Sequence, residues 1–140
     1  MTVVTELSGA RVPVGVTGTG EWMYLAREGE WSSLTAAAPI FLVTVLQEGT
    51  AFHADLCARL IAAGLDPSLA HRFPTHLSVR LGLTFPSDFW QQGAVDWIER
   101  EGGAGAFQPE LNVLVMHGRT QRIRHGARRM LRQSQREERT

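Results

Sequence analysis

Over the first thirty residues apolar and polar side chains alternate at period two. Residues 2–7, 12–17 and 21–27 are rich in β-branched or aromatic types and are separated by Ser8-Gly9-Ala10 and by Gly18-Thr19-Gly20. Runs of this kind between glycine-containing turns predict a three-stranded antiparallel β-meander over residues 1–30. Val3, Leu7, Val12, Val14, Val16, Trp22 and Tyr24 are expected to supply its buried face. Three strands bury too little to persist alone, so the meander requires cover from the rest of the chain.

From Trp31 the period changes to that of helices, and cap residues mark the joints. Ser32 and Ser33 can cap a helix running toward Gln47, kinked or divided at Pro39, with Gly49 as its breaker. Thr50 opens a helix with Phe52, Leu56, Cys57, Leu60 and Ile61 on one stripe, ended by Gly64. Asp66-Pro67 pairs an N-cap acceptor with a proline whose missing N–H costs nothing at the first helical position. That helix stops by Phe73, before Pro74, and a short segment follows from Thr75 to Leu83. Ser87-Asp88 caps a helix that turns Phe89, Trp90, Ala94, Trp97 and Ile98 inward and places Asp96 four residues before Arg100 on its outer face. After Gly102, Gly103 and Gly105, Gln108-Pro109 begins a helix carrying Leu111, Leu114 and Val115, closed by Gly118. Thr120 caps the last one. The expected fold class is therefore α+β: a three-stranded antiparallel β-meander followed by a compact array of six or seven short α-helices joined by short loops.

Length and composition add little beyond this. The 140 residues, 44% hydrophobic and 20% charged, fit a single domain over 1–140, divided into the meander (1–30), a helical body (31–118) and a terminal helix (119–140). The longest apolar run, residues 36–46, is shorter than the roughly 20 residues that span a bilayer, and the chain start lacks the basic-then-apolar pattern of a signal peptide. One cysteine, Cys57, forms no intrachain disulfide, and the expected location is cytoplasmic.

Charge changes the picture. All fourteen basic side chains are arginine, and eight fall in residues 119–140 against two glutamates, a net +6; the first 118 residues carry six arginines against twelve carboxylates, a net −6. The overall neutrality conceals a polarised chain, and polarity of this kind points to a partner surface. GC-rich coding accounts for the absence of lysine, but does not by itself gather eight arginines at one end.

In the final helix Ile123, Ala127, Met130 and Leu131 form a narrow apolar stripe, and Arg122, Arg124, Arg128, Arg129, Arg132 and Arg136 occupy the rest of the circumference. The string T-Q-R-I-R-H-G-A-R-R-M-L resembles the second helix of a HEAT repeat, through Ile123, Arg124, Ala127 and Leu131. That resemblance implies a helical hairpin whose first helix is residues 109–116. It further implies that the small alanine lets helices approach closely and that the arginine bonds neighbouring loops or acidic groups. The resemblance covers the last thirty residues. Val79-Arg80 with Leu83 echoes it without the alanine, and no repeat period runs through the chain.

Candidate chemistry is sparse. His53 and Cys57 lie one helical turn apart, with His71 and His76 nearby, but no CxxC, HxxxH or HExxH spacing accompanies them. Cys57 falls on an apolar stripe, where a thiol packs. The carboxylate pair Asp96 and Glu99 lies in a polar cluster in which Glu99, Arg100 and Glu101 form a solvated helix end, and the glycines at 15, 18 and 20 lie between strands rather than in a nucleotide-binding motif. Trp90 and Trp97 share a helix face and read as core; Trp31 reads either as a packing plug or as an exposed anchor. No catalytic residues, metal ligands or cofactors are expected, and the chain is read as a non-enzyme. Two functional readings remain. The first is a non-catalytic protein-interaction domain of adaptor, regulatory or immunity type. Its arginines at 122, 124, 128, 129, 132 and 136 would face an acidic protein surface or a second copy of the chain, with no role for a membrane. The alternative is nucleic-acid binding through the same helix, against which stand the acidic body and the neutral overall charge.

Overall fold

The computed structural model describes residues 1–7, 11–36 and 38–139, the side chain of Arg139 excepted. Four strands, β1 (Thr2–Leu7), β2 (Val12–Val16), β3 (Trp22–Leu25) and β4 (Trp31–Ser33), form one antiparallel sheet in sequence order. Six α-helices follow: α1 (Val45–Glu48), α2 (Ala51–Ala62), α3 (Thr75–Thr84), α4 (Asp88–Glu101), α5 (Gln108–His117) and α6 (Gln121–Arg139). Short 3-10 segments at Ile40–Thr44, Pro67–Arg72 and Ala104–Phe107 lie among them. The fold is thus α+β, and none of the described helices is long and apolar enough to cross a membrane. The chain divides into two compact units, Met1–Leu77 and Ser78–Thr140.

In the first unit the expected three strands are four. Gly29, at φ 81°, closes a turn in which the Ala26 N–H donates to the Glu30 carbonyl at 2.8 Å, so the chain returns along β3 and pairs Trp31 with Leu25. Ser32 and Ser33 therefore lie in a strand and do not cap a helix, and the sheet continues past residue 30. The expected helix toward Gln47 is reduced to the 3-10 segment and the four residues of α1, because Pro39 supplies no amide donor to an earlier turn. Trp31 is a half-buried strand residue. The Ser8-Gly9-Ala10 connection lies outside the described residues.

On β2 and β3 Val14, Val16 and Trp22 are buried as expected, while Val12 and Tyr24 are half-buried; the expected pattern fails at the start of β1. The register shifts between Val3 and Thr5. A bulge there puts Val3 on the opposite face from the one its spacing to Leu7 implies, and Val3 is exposed while Leu7 is buried.

Cover for the sheet comes from α2 and the two 3-10 segments of this unit. Trp22 is its anchor: the ring meets Phe73 edge-on at 5.2 Å, Phe73 meets Phe52 at 5.1 Å, and the indole N–H donates to the Leu69 carbonyl at 3.0 Å. One side chain thus joins β3 to the Pro67–Arg72 segment, which is itself started by the Asp66 carboxylate accepting from the Ser68 N–H at 2.9 Å. That hydrogen bond holds the exposed Asp66 carboxyl below its ordinary range. Gly20, at φ 85°, brings the β2–β3 turn against Arg72, whose guanidinium donates to the Thr19 carbonyl at 3.0 Å; a Cβ at this position would collide with it.

The second unit is built on α4, α5 and α6. The Ser87 hydroxyl accepts from the Trp90 N–H at 3.3 Å and the Thr120 hydroxyl from the Ile123 N–H at 3.1 Å, so both cap residues start their helices as their types dictate. Ala94, Val95 and Ile98 are buried on α4, Leu111 and Leu114 on α5, and Ile123, Ala127 and Met130 on α6. Phe89, expected inward, is exposed and stacks edge-on with Trp90 at 4.9 Å. Asp96 accepts from Gln92 at 2.8 Å instead of pairing with Arg100, whose guanidinium lies over the Trp97 ring and 3.6 Å from Glu101.

Replacing Trp22 with Ala removes a buried ring and its hydrogen bond, and is expected to cost about 3–5 kcal/mol in chemical denaturation. In the second unit Ile123→Ala should cost about 2–5 kcal/mol, with Leu131→Ala costing clearly less because Leu131 is half-exposed. Equal losses from the two, measured by urea unfolding, would show that α6 is not seated on the face described.

Candidate arginine-rich interface

The terminal helix owes its position to small residues. Gly126 faces α4 so closely that a Cβ built on it would lie 2.8 Å from a Val95 methyl. Ala127 beside it is fully buried. Glycine in a helix interior is unfavourable by roughly 0.5–1 kcal/mol relative to alanine, and here that loss permits the approach. At the start of the helix Arg119 bonds Asp88 at 2.5 Å and donates its N–H to the buried Gln91 amide oxygen at 3.1 Å; Gln91 in turn donates to the Phe85 carbonyl at 2.9 Å.

Helices α5 and α6 form an antiparallel hairpin. Gln108, at the start of α5, donates to Ser134 at 3.3 Å and to Glu138 at 3.0 Å, near the far end of α6. Ser134 is 1% exposed, and its hydroxyl also donates to the Leu131 carbonyl at 2.9 Å. Within α5 the Glu110 carboxylate is taken by Arg80, at 2.9 Å, and that guanidinium lies over the Phe107 ring.

Six arginines stand out from the remaining surface of α6, and they are not equivalent. The Arg124 guanidinium is half-buried and donates to the Gly118 carbonyl at 2.8 Å, so it belongs to the framework of the α5–α6 turn. Arg129 lies 3.8 Å from Glu99, a separation beyond hydrogen-bond length between two half-exposed side chains. Among the described residues Arg122, Arg128, Arg132 and Arg136 are exposed and form no salt bridge. The carboxylates Asp96, Glu101 and Glu110 are engaged with Gln92, Arg100 and Arg80.

At the last turn of α4, Glu99, Arg129, Met130, Arg132, Gln133 and Arg136 line an open notch of about 500 Å³. Met130 is buried and forms its apolar floor; three guanidiniums and one amide form its rim. Sequence periodicity places the arginines on one helix but gives no sign of Glu99, thirty residues away, or of Gln133 as a lining residue.

The histidines form no comparable site. His53 and His71 lie with ring centroids 4.7 Å apart and planes tilted by 43°, and the Cys57 thiol reaches the Pro67 carbonyl at 3.7 Å, but the described residues contain no group of three or more potential metal ligands. In the first unit Glu6, Glu48, Asp55 and Arg59 surround a depression of about 70 Å³ beside β1. Partial burial, then the charge of Asp55, raises the Glu48 carboxyl above its ordinary value, and Arg59 opposes the shift. Comparison with known protein families, with curated proteins and with solved structures finds no match.

Proposed function

We propose that the chain is a non-catalytic protein-interaction domain, of adaptor, regulatory or immunity type, whose HEAT-like C-terminal hairpin presents its arginine ridge to an acidic protein surface or to a second copy of itself. The observation that carries this reading is the set of four exposed guanidiniums at 122, 128, 132 and 136 that form no salt bridge among the described residues. Retaining them is unfavourable to the helix. Arg124, Arg128, Arg132 and Arg136 recur every fourth residue, and like charges at that spacing cost about 0.2–0.5 kcal/mol per pair. Burial of side chains such as Ile123 and Met130, at about 1.5–3 kcal/mol each, outweighs that repulsion and holds the ridge in place.

Two further features support the reading. Arg124 bonds the loop before its helix, which is the role the resemblance implies for it. The first unit carries seven carboxylates against four arginines, so a second copy offers an acidic surface to the ridge. Nucleic acid is the competing partner, since unpaired guanidiniums also suit phosphates.

Charge reversal at Arg128, Arg132 and Arg136 together is the direct test, because among the described residues none of the three has an ion pair whose loss would disturb the fold; Arg124 is left intact because it bonds the Gly118 carbonyl. The triple variant should keep its helical circular dichroism and melting temperature and lose binding to a labelled glutamate-rich peptide, together with any self-association seen in sedimentation. Unchanged binding would leave the ridge as a solvating face. Tight binding of duplex DNA with a steep salt dependence would favour the competing partner.

A further inference from the structure

The notch at the last turn of α4 already contains one carboxylate, that of Glu99, whose salt-bridge partner is Arg129. Glu99 lies in the last turn of α4, where exposed carbonyls carry partial negative charge and disfavour an acidic side chain. Its contact with Arg129, at 3.8 Å and with both partners about half exposed, is too long for a hydrogen bond and too wet to be strong. Arg132 and Arg136, which also line the notch and lie one helical turn and about 6 Å apart along the axis, have no carboxylate partner among the described residues. Guanidinium groups favour planar oxyanions, and a carboxylate is the group that this rim already takes.

We propose that Glu99 is a built-in competitor in an acidic-segment site: a partner protein segment with carboxylates one helical turn apart engages Arg132 and Arg136, and a further carboxylate displaces Glu99 from Arg129. This inference rests on the reading of the arginine ridge as the binding face, and it specifies the ligand of that face. The weakness of the Glu99–Arg129 contact is what makes the exchange cheap, since the incoming carboxylate needs only to form a closer, two-point contact. The Glu99 carboxylate in the notch, and Glu137 and Glu138 directly after Arg136 in the sequence, oppose a continuous phosphate backbone while leaving room for discrete acidic side chains. Glu138 is itself held by Gln108 at 3.0 Å.

Fluorescence anisotropy with a labelled alanine-rich helical peptide bearing glutamate at every fourth position tests the exchange, with duplex DNA of matched charge in parallel. Glu99→Gln should tighten peptide binding by about 1.5- to 5-fold, the range expected for release of one exposed ion pair. In an Arg129→Gln background the same substitution should give no gain, because there is no guanidinium to release. The proposal is overturned if Glu99→Gln leaves affinity unchanged, if the gain survives in the Arg129→Gln background, or if the DNA binds more tightly than the peptide at the same salt concentration. Failure of the underlying reading has a different signature: the variant reversed at Arg128, Arg132 and Arg136 would bind the peptide as the parent does. Both Glu99 and Arg129 are exposed, and circular dichroism of each variant confirms that the fold is retained.

Discussion

The close approach of α6 to α4 at Gly126 and Val95 is the constraint on which the C-terminal half of the structure depends. A side chain at Gly126 would push the helices apart and lift Ile123, Ala127 and Met130 from the sites they fill. Without that seating the terminal segment would be a basic chain with a ladder of like charges and a hydrophobic stripe too narrow to stabilise it alone. Seated, it becomes a fixed array. The guanidiniums of Arg128, Arg132 and Arg136 then project from a buried support instead of from a fraying tail, and less ordering entropy remains to be lost when a partner binds.

Charge and topology act together here. The second unit carries ten arginines against seven carboxylates, and among the described residues its ion pairs use arginines at 80, 100, 119 and 129. Three of these serve as local fastenings, with Arg119 binding the α5–α6 turn to the start of α4 and Arg80 binding α3 to α5. Among the described residues the arginines at 122, 128, 132 and 136 form no salt bridge, and two of them, Arg132 and Arg136, line the notch together with Glu99.

Much of this was legible in local sequence signals. Asp66, Ser87 and Thr120 start their segments through side-chain acceptors whose action spans only two or three residues, so their types and positions sufficed. The α6 stripe was legible because a period of 3.6 residues is a property of one helix. What escaped depends on partners distant in sequence or on register. Strand β4 has three residues and no alternation of its own, and it is defined by the return turn at Gly29. The bulge in β1 reverses Val3 without altering the sequence pattern. Arg100 takes Trp97 and Glu101 in place of Asp96, a choice set by rotamer and ring position. Glu99 and Gly126 are the residues of the candidate site that composition least reveals, since one reads as a solvated helix end and the other as a weak point in a helix.

Amide hydrogen exchange along α6 tests the central claim that the arginine ridge is a docked, rigid helix. Protection at residues 123–134 should approach that of Leu111 and Leu114 on α5, with fraying confined to the last turn. Exchange throughout residues 121–136 at rates close to those of an unfolded chain, with α4 and α5 still protected, would contradict it.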